Sequence, residues 1–215
     1  MRGVSKLKYK MNELYNEDCM VAMKEMPDKY FDLAIVDPPY GININHNMGR
    51  RKGDKQSNYK KVLWDSRVPT TKYFDELFRV SENQIIWGAN YYIDKLKPTK
   101  SFITWVKPQI SEKMSFGMSE LAWTSHDKTS KVIELFSIEK NRIHPTQKPV
   151  ALYTWLLNNY AEKGDKILDT HVGSASSLIA CHRAGYEFMG FELDKDYYQA
   201  ASERLETERS QISLF

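Results

Sequence analysis

A nearly continuous apolar run from Phe31 to Val36, ended by Asp37 and two prolines, constrains the fold of this chain most strongly. A strand with one exposed face alternates apolar and polar residues, whereas a central parallel strand is buried on both faces and apolar throughout. The run therefore predicts a central strand of a parallel sheet that is covered by helices on both sides. In open sheets of this kind, ligands bind beyond the carboxyl ends of the strands, which is where Asp37 lies.

The rest of the chain predicts the same α/β class. Residues 164–208 predict a strand, helix, strand and helix in succession, a pattern typical of a parallel sheet. We further predict strands at 84–87, 101–106, 120–125, 131–136, 166–168 and 186–191, and helices at 20–26, 71–80, 149–160, 173–184 and 194–208. The length of 215 residues suits one Rossmann-like domain over residues 1–210, with a mostly parallel central sheet flanked by helices.

The segment Asp37-Pro38-Pro39-Tyr40 combines groups that suit one reaction. Two successive prolines fix two φ angles and remove two N–H donors, so the segment presents its carbonyl oxygens in a rigid array. The Asp37 carboxylate and the Pro38 carbonyl can accept hydrogen bonds from an NH2 group. Tyr40 can stack on the heterocycle that carries this group.

An amine on a heterocycle is a poor nucleophile because its lone pair is delocalised into the ring. Two acceptors on its hydrogens draw the nitrogen toward tetrahedral geometry, so that the nitrogen attacks a sulfonium methyl group in line. We therefore predict that Asp37, Pro38, Pro39 and Tyr40 are catalytic. The alternative, a strand followed by a Pro-Pro turn with Asp37 as an ordinary turn residue, is weakened by the buried strand and by further motifs.

These further motifs, together with the first, resemble the amino-methyltransferases of DNA restriction and modification systems. They are Asn16 to Cys19, His144 to Pro149, Leu168 to Ser174 and Gly190 to Asp194. Their order resembles the β-type of that family, in which the catalytic motif precedes the cofactor motif. The resemblance implies that S-adenosylmethionine donates a methyl group to the exocyclic amine of a base flipped out of double-stranded DNA. Asp rather than Ser at position 37 favours adenine N6 over cytosine N4 by family analogy only.

The same resemblance implies a set of cofactor-binding residues. Asp18 would contact the adenine of the cofactor, and the Glu192 carboxylate, a pure acceptor, would bind the two ribose hydroxyls. The segment 144–149 would line the methionine end of the pocket, with His144 structural rather than catalytic. The full predicted set is Asp18, Asp37, Thr146, Lys148, Asp169, His171, Gly173, Ser174 and Glu192.

The cofactor loop departs from the family pattern Asp-Pro-Phe-x-Gly-Ser-Gly-Thr. This chain has Asp169-Thr170-His171-Val172-Gly173-Ser174-Ala175-Ser176, so that the Pro, the Phe, the second Gly and the Thr have all changed. A Ser-rich turn from strand to helix, with a side-chain cap, is an alternative interpretation of this loop alone. The departure also motivates a second hypothesis for the whole chain, a catalytically weakened protein that binds DNA or a sliding clamp.

Two segments are candidates for contact with DNA. Residues 41–62 lack apolar periodicity and carry several basic residues that can bind phosphates, namely Arg50, Arg51, Lys52, Lys55, Lys60 and Lys61. A solvated linker is the alternative for this segment. Residues 107–141 are the least family-like part of the sequence and are a candidate target-recognition region.

The C-terminal residues Gln211-Ile212-Ser213-Leu214-Phe215 resemble the short peptide with which bacterial proteins dock on the replication sliding clamp. An amide and two apolar anchors suit a hydrophobic groove, which assigns the contacts to Gln211, Leu214 and Phe215. The alternative is an apolar tail that packs back on the domain or frays.

Other classes of function are poorly supported. Neither Gly-x-Gly-x-x-Gly nor a P-loop pattern is present, and the five histidines show no paired metal spacing, so no metal is predicted. Cys19 and Cys181 do not follow a proline, as the nucleophile of a C5-cytosine enzyme commonly does, and we interpret both as packing residues. No apolar run is long enough to span a membrane, and we expect a prokaryotic or phage-infected cytoplasm. A net charge of +3 says little about partners, and either a monomer or a homodimer is consistent with the sequence.

Overall fold

The computed structural model describes residues 8–43, 64–112, 117–137, 139 and 141–212. Five helices lie in this part of the chain: α1 (Cys19–Glu25), α2 (Thr71–Val80), α3 (Val150–Tyr160), α4 (Ser176–Ala184) and α5 (Lys195–Ile212). The strands there are β1 (Glu13–Tyr15), β2 (Phe31–Val36), β3 (Ser81–Trp87), β4 (Phe102–Val106), β5 (Ser119–Thr124), β6 (Lys131–Glu134), β7 (Lys166–Asp169) and β8 (Glu187–Phe191). Short 3-10 turns cover Trp64–Ser66 and Ala89–Tyr91.

The strands form one sheet in the order β1-β8-β7-β2-β3-β5-β4-β6. β5 runs antiparallel to both of its neighbours, β3 and β4, whereas the other pairings among the described strands are parallel. The strand β2 lies in the middle, with its residues Leu33 and Ala34 paired to Ile167 and Leu168 of β7. The carboxyl ends of β1, β8, β7 and β2 therefore lie side by side along one edge of the sheet.

Alternate residues of β2 enter two separate cores. Leu33 and Ile35 pack in the core that includes the inner faces of α3, α4 and α5. Ala34 and Val36 point to the opposite face and pack with α1 and α2. Burial on both faces is the physical reason that the run from 31 to 36 is apolar throughout, and the predicted helix–sheet–helix fold is confirmed.

Most predicted elements are present, with shifts at their ends. β2 and α2 have the predicted bounds, and Gly185, at φ +75°, caps α4 as expected. α5 continues to Ile212 rather than ending near Glu208. Ion pairs of Arg209 with Glu206 and of Arg183 with Glu208 support this last stretch, whose polar sequence does not mark its end. Among the described residues, no helix is both long and apolar enough to cross a bilayer.

Candidate active site

A cavity opens at the carboxyl edge of the sheet, where β1, β8, β7 and β2 end. Its volume is about 490 Å³. Eight of the nine predicted cofactor residues line this cavity. They are Asp18, Asp37, Thr146, Lys148, His171, Gly173, Ser174 and Glu192. Other residues that line it were not in the predicted cofactor-binding set, among them Glu17, Cys19, Gln147 and Tyr153.

Glu192, which follows β8, holds the neighbouring loops in place. One oxygen of its carboxylate accepts a hydrogen bond from the Gly173 backbone N–H at 2.8 Å, and the other accepts one from the Asp194 N–H at 2.9 Å. Asp18 is similarly engaged, since its carboxylate accepts from the Met20 N–H at 2.8 Å and caps α1. Both residues line the cavity, and a carboxylate, which can accept about four hydrogen bonds, retains acceptor capacity beyond these contacts.

Asp169, the ninth predicted cofactor residue, does not line the cavity. It is 2% exposed at the end of β7, where its carboxylate accepts hydrogen bonds from the His171 N–H at 3.0 Å and from the Ser177 hydroxyl. Burial raises the pKa of Asp169 to about 7, although the two donors oppose the shift. In the structure this residue shapes the loop that follows β7 rather than the cavity wall.

The loop 173–175 reaches α4 through two residues with positive φ. Gly173 has φ +57°, and Ala175, which stands where the family pattern has its second Gly, has φ +61°. This left-handed region favours glycine, so the loop keeps a glycine-like backbone despite the substitution. Ala175 makes no side-chain cap to α4, which rules out the simple capped turn as a description of this loop.

Two histidines pack against the cavity without charge. Burial lowers the pKa of His144 to about 3 and that of His171 to about 4, so both rings are neutral at pH 7. The His144 ring lies at 4.3 Å from the Tyr197 ring, measured between centroids, and faces Gly173. These contacts agree with a structural role for His144.

The catalytic candidates Asp37 and Tyr40 belong to a buried polar network at the end of β2. Asp37 accepts hydrogen bonds from the Tyr40 hydroxyl at 2.6 Å and from the Lys148 ammonium at 2.6 Å. Lys148 also lies 2.9 Å from a carboxylate oxygen of Glu120 on β5, and Glu120 contacts Lys107 as well. The ammonium of Lys148 is thus shared between two carboxylates.

Burial and neighbouring charges together shift the pKa values of the carboxyl groups in this network in opposite directions. It raises the pKa of Asp37, with a further contribution from the Glu120 carboxylate, although Lys148 opposes the shift. Burial alone would raise the pKa of Glu120 too, but the ammonium groups of Lys148 and Lys107 lower it to about 2. Lys148 itself loses hydration on burial, yet Asp37 and Glu120 raise its pKa, so it remains charged.

A second cavity of about 210 Å³ adjoins the first. The consecutive residues Thr146, Gln147 and Lys148 line both cavities. Tyr40 lines only the second cavity, where its ring stacks on that of Tyr91 with centroids 4.8 Å apart and planes 16° apart. Other residues around it are Gly88, Trp105, Lys107, Glu120, Leu121 and Arg142.

Gly88, directly after β3, allows Tyr40 to take this position. Its φ is +75°, and a Cβ atom there would overlap the Tyr40 ring. Pro39 lines the first cavity, whereas Pro38 is buried and lines neither. Its carbonyl oxygen accepts a hydrogen bond from the Tyr92 hydroxyl at 2.6 Å. One lone pair of the predicted acceptor is therefore already in use, and one remains.

Several predicted residues are not part of these cavities. The six basic residues between 50 and 61, and Leu214 and Phe215, lie outside the described residues. Gln211 is exposed in the last turn of α5. Part of the candidate recognition region 107–141 is integral to the sheet as β5 and β6, because these strands supply pairing partners to β3 and β4. The other described residues of that region, which lie outside the strands, are 107–112, 117–118, 125–130, 135–137, 139 and 141.

Residues important to the site were also missed at the sequence level. Glu120 occupies a polar position in a half-buried strand, and Asp65 and Tyr92 belong to no motif, so no local signal singles them out. Their partners are 80, 25 and 54 residues away in sequence, respectively.

The sequence of the chain is similar to those of known DNA methylases. Residues 120–203 match the N6/N4 methyltransferase family model, which is described as DNA methylase. The chain is 28% identical over 235 residues to the type II methyltransferase M.HpaI of Haemophilus parainfluenzae, with 87% of this chain and 72% of the relative covered. These matches support a DNA methyltransferase.

Solved structures show the same fold. The crystal structure of the M1.HpyAVI-SAM complex aligns with a TM-score of 0.58 and 21% identity, covering 90% of this chain and 98% of the other. The PvuII DNA methyltransferase, described as cytosine-N4-specific, aligns with a TM-score of 0.63 and 13% identity, covering 96% of both chains. The predicted Rossmann-like methyltransferase fold is confirmed by these likenesses.

Proposed function

We propose that this chain is an S-adenosylmethionine-dependent DNA methyltransferase that methylates the exocyclic amine of a flipped base, with adenine N6 favoured. The observation that carries the proposal is the meeting of two cavities at the end of β2. Asp37 lies on the wall of the larger cavity, Tyr40 on the wall of the smaller, and Lys148 on both. A methyl donor in one cavity and a base in the other would both reach Asp37.

The larger cavity fits the proposed cofactor in its arrangement of acceptors. Asp37 and Glu192 follow β2 and β8, which are separated by β7, so the spacing of strands places the ends of these two strands about 10 Å apart. A diol at the Glu192 end and a cationic centre at the Asp37 end of an extended ligand would satisfy both groups. When bound there, S-adenosylmethionine supplies an electrophilic methyl group on a sulfonium sulfur.

The residues of the catalytic segment would act on the amine. Asp37 would accept one amino hydrogen and the Pro38 carbonyl the other, which would restore nucleophilic character to the nitrogen. Because Pro38 lines neither cavity in the structure, the second contact requires a local shift that exposes its carbonyl oxygen. After methyl transfer the nitrogen must lose a proton. Because burial raises the pKa of Asp37, its carboxylate is well suited to accept that proton.

Binding of an amine at Asp37 requires an exchange of hydrogen-bond partners. The Tyr40 hydroxyl and the Lys148 ammonium occupy both Asp37 oxygens in the structure. Glu120 offers an alternative acceptor to each of them, at 3.3 Å from the Tyr40 hydroxyl and 2.9 Å from the Lys148 nitrogen. These two donors can therefore turn to Glu120 without losing all of their partners, which lowers the cost of freeing Asp37.

Mass spectrometry of nucleosides tests the reaction and the target base together. DNA is incubated with the protein and with S-adenosylmethionine that carries an isotopically labelled methyl group. We expect label in N6-methyladenine, on the family analogy of Asp at position 37. Label in N4-methylcytosine would overturn the choice of adenine and keep the reaction class.

Calorimetric titration with S-adenosylmethionine separates the enzyme from the second candidate, a protein with weakened catalysis that binds DNA or a clamp. The substitution at Ala175 in the cofactor loop motivates that candidate. We expect saturable cofactor binding. No binding at millimolar cofactor, combined with DNA binding, would favour the second candidate.

Contact with DNA phosphates is proposed for the basic segment, namely Arg50, Arg51, Lys52, Lys55, Lys60 and Lys61. Replacing all six with Gln is expected to weaken DNA binding and to reduce its dependence on salt, while cofactor affinity stays constant. Six Lys-to-Gln changes elsewhere on the surface, at residues 24, 72, 95, 97, 128 and 195, provide a control of equal charge.

Docking on the replication sliding clamp is proposed for the C-terminal peptide with Gln211, Leu214 and Phe215. Deletion of residues 211–215 is expected to abolish clamp binding in surface plasmon resonance and to leave methylation intact. Equal binding by the full-length and truncated proteins would refute this contact.

A further inference from the structure

The carbonyl oxygens of the catalytic segment are held by a tyrosine from outside it. The Tyr92 hydroxyl lies 2.6 Å from the Pro38 carbonyl oxygen and 2.7 Å from that of Pro39. Tyr92 follows the short 3-10 turn after β3, 53 or more residues along the chain from these partners. Its single hydroxyl proton is shared between two successive carbonyls of the segment.

Such support matters because the segment has few other means to hold its backbone. The ladder between β2 and β3 ends at the pair Val36 and Ile86, and proline nitrogens cannot donate hydrogen bonds. Beyond the prolines, the Asp65 carboxylate accepts from the N–H groups of Tyr40 and Gly41, at 2.8 and 2.9 Å. One side chain thus holds the carbonyls of the segment, and another holds the N–H groups that follow.

The Tyr92 side chain is itself fixed in position. It is 0% exposed, and its ring packs against those of Phe74 and Tyr40, with centroids at 5.3 and 6.3 Å. Burial raises the pKa of Tyr92 far above its ordinary value, so the hydroxyl keeps its proton and remains a donor. A rigid, protonated phenol defines the direction from which each carbonyl is approached.

We propose that Tyr92 is a positioning residue that fixes the peptide planes of Pro38 and Pro39 and thereby holds Asp37 and Tyr40 in place at the two cavities. This inference rests on the proposed function. Asp37 directly precedes the two prolines and Tyr40 directly follows them, so a tilt of either peptide plane displaces the carboxylate or the ring. Without the Tyr92 hydroxyl these planes are free to tilt, and the alignment of Asp37 with the target amine is lost while both cavities remain.

The test is Tyr92→Phe, which removes one oxygen atom, compared with Tyr160→Phe. Tyr160 is also buried, and its hydroxyl has no hydrogen-bond partner among the described residues. Single-turnover methyl transfer is measured at saturating DNA and cofactor, and the cofactor Kd by calorimetry. We expect Tyr92→Phe to slow transfer by about ten- to a hundredfold, because misplacement of a reacting group has effects of this size, with the cofactor Kd unchanged within about twofold. Tyr160→Phe is expected to leave both quantities at the wild-type level.

Two results would overturn the inference. Transfer by Tyr92→Phe at the wild-type rate would show that the hydrogen bond does not matter, and an equal loss of transfer rate and cofactor affinity would indicate general loss of structure. Insertion of 3-fluorotyrosine at position 92, which keeps the hydroxyl, is a second variant and is expected to retain most of the rate. Absence of methyl transfer by the wild-type protein would contradict the proposed function rather than the role of Tyr92.

Discussion

The ammonium nitrogen of Lys148 lies 2.6 Å from a carboxylate oxygen of Asp37, although the two residues are 111 positions apart in the sequence. This ion pair joins the segment after β2 to the one that precedes α3, and the side chain of Lys148 is only 3% exposed. A buried pair of this kind is costly to break by removal of one partner. Glu120 moderates the cost, since it gives Lys148 a second carboxylate.

Asp37→Asn is expected to abolish methyl transfer with little effect on cofactor binding. The amide keeps one oxygen acceptor but loses the charge and the ability to take a proton, so transfer falls by at least about a hundredfold. Asp32→Asn is a matched control, because Asp32 lies on the same strand and accepts a hydrogen bond from the Lys166 N–H at 2.8 Å. Single-turnover transfer and the cofactor Kd are measured for both variants. Near-normal transfer by Asp37→Asn would remove Asp37 from its proposed role.

Glu120→Gln is expected to reduce the sensitivity of the fold to acid. Lys148 and Lys107 lower the pKa of Glu120 from 4.5 to about 2, so its contribution to stability is present above pH 4.5 and is lost as the pH falls to 2. The shift corresponds to about 3 kcal/mol. The free energy of unfolding in urea is measured at pH 6 and pH 3 for both proteins. The wild type should exceed the variant clearly at pH 6 and less at pH 3; a constant difference would contradict the prediction.

Asp169→Asn is expected to stabilise the protein at alkaline pH. Burial raises the pKa of Asp169 from 3.8 to about 7, so folding disfavours its ionisation. The pH dependence is therefore opposite to that of Glu120. The contribution of Asp169 to the free energy of unfolding is most favourable below pH 3.8 and becomes less favourable as the pH rises. Above pH 7 the loss is complete and amounts to at most about 4 kcal/mol. Asn does not titrate and keeps an acceptor for the His171 N–H.

Urea unfolding at pH 4 and pH 8 measures this effect. The free energy of unfolding of the variant should rise relative to that of the wild type between pH 4 and pH 8. The same difference between the two proteins at both pH values would mean that ionisation of Asp169 is not responsible.

Glu192→Ala is expected to weaken cofactor binding by about tenfold or more, since it removes the acceptor that we propose for the ribose diol and also the partner of the Gly173 N–H. Glu187→Ala, at the exposed start of β8, is the matched control on the same strand. Calorimetry with S-adenosylmethionine gives the Kd of each variant. Equal affinity in both variants would place the ribose elsewhere.

Local sequence patterns predicted the parts of the structure that depend on local burial. The bounds of β2 follow from a run that both cores require to be apolar, and those of α2 from one apolar stripe, with Tyr73, Phe74, Leu77 and Val80 buried. Sequence motifs also placed most of the predicted cofactor residues correctly on the wall of one cavity, although their role in cofactor binding stays a prediction.

The antiparallel insertion of β5 and the network around Glu120 could not be predicted in this way. The local sequence of residues 119–124 does not determine which strands they pair with, because pairing with β3 and β4 depends on tertiary packing. Glu120 is a polar residue at an ordinary alternating position, and its contacts with Tyr40 and Lys148 exist only once β5 lies beside β3. The same holds for Tyr92, whose partners precede it by more than 50 residues.

Residues 146–148 line both cavities, so the two cavities share part of their walls. A charged ligand in either cavity would change the electrostatic environment of Lys148. By thermodynamic reciprocity, any resulting change in the affinity of one cavity for its ligand would be accompanied by a change of the same factor in the affinity of the other.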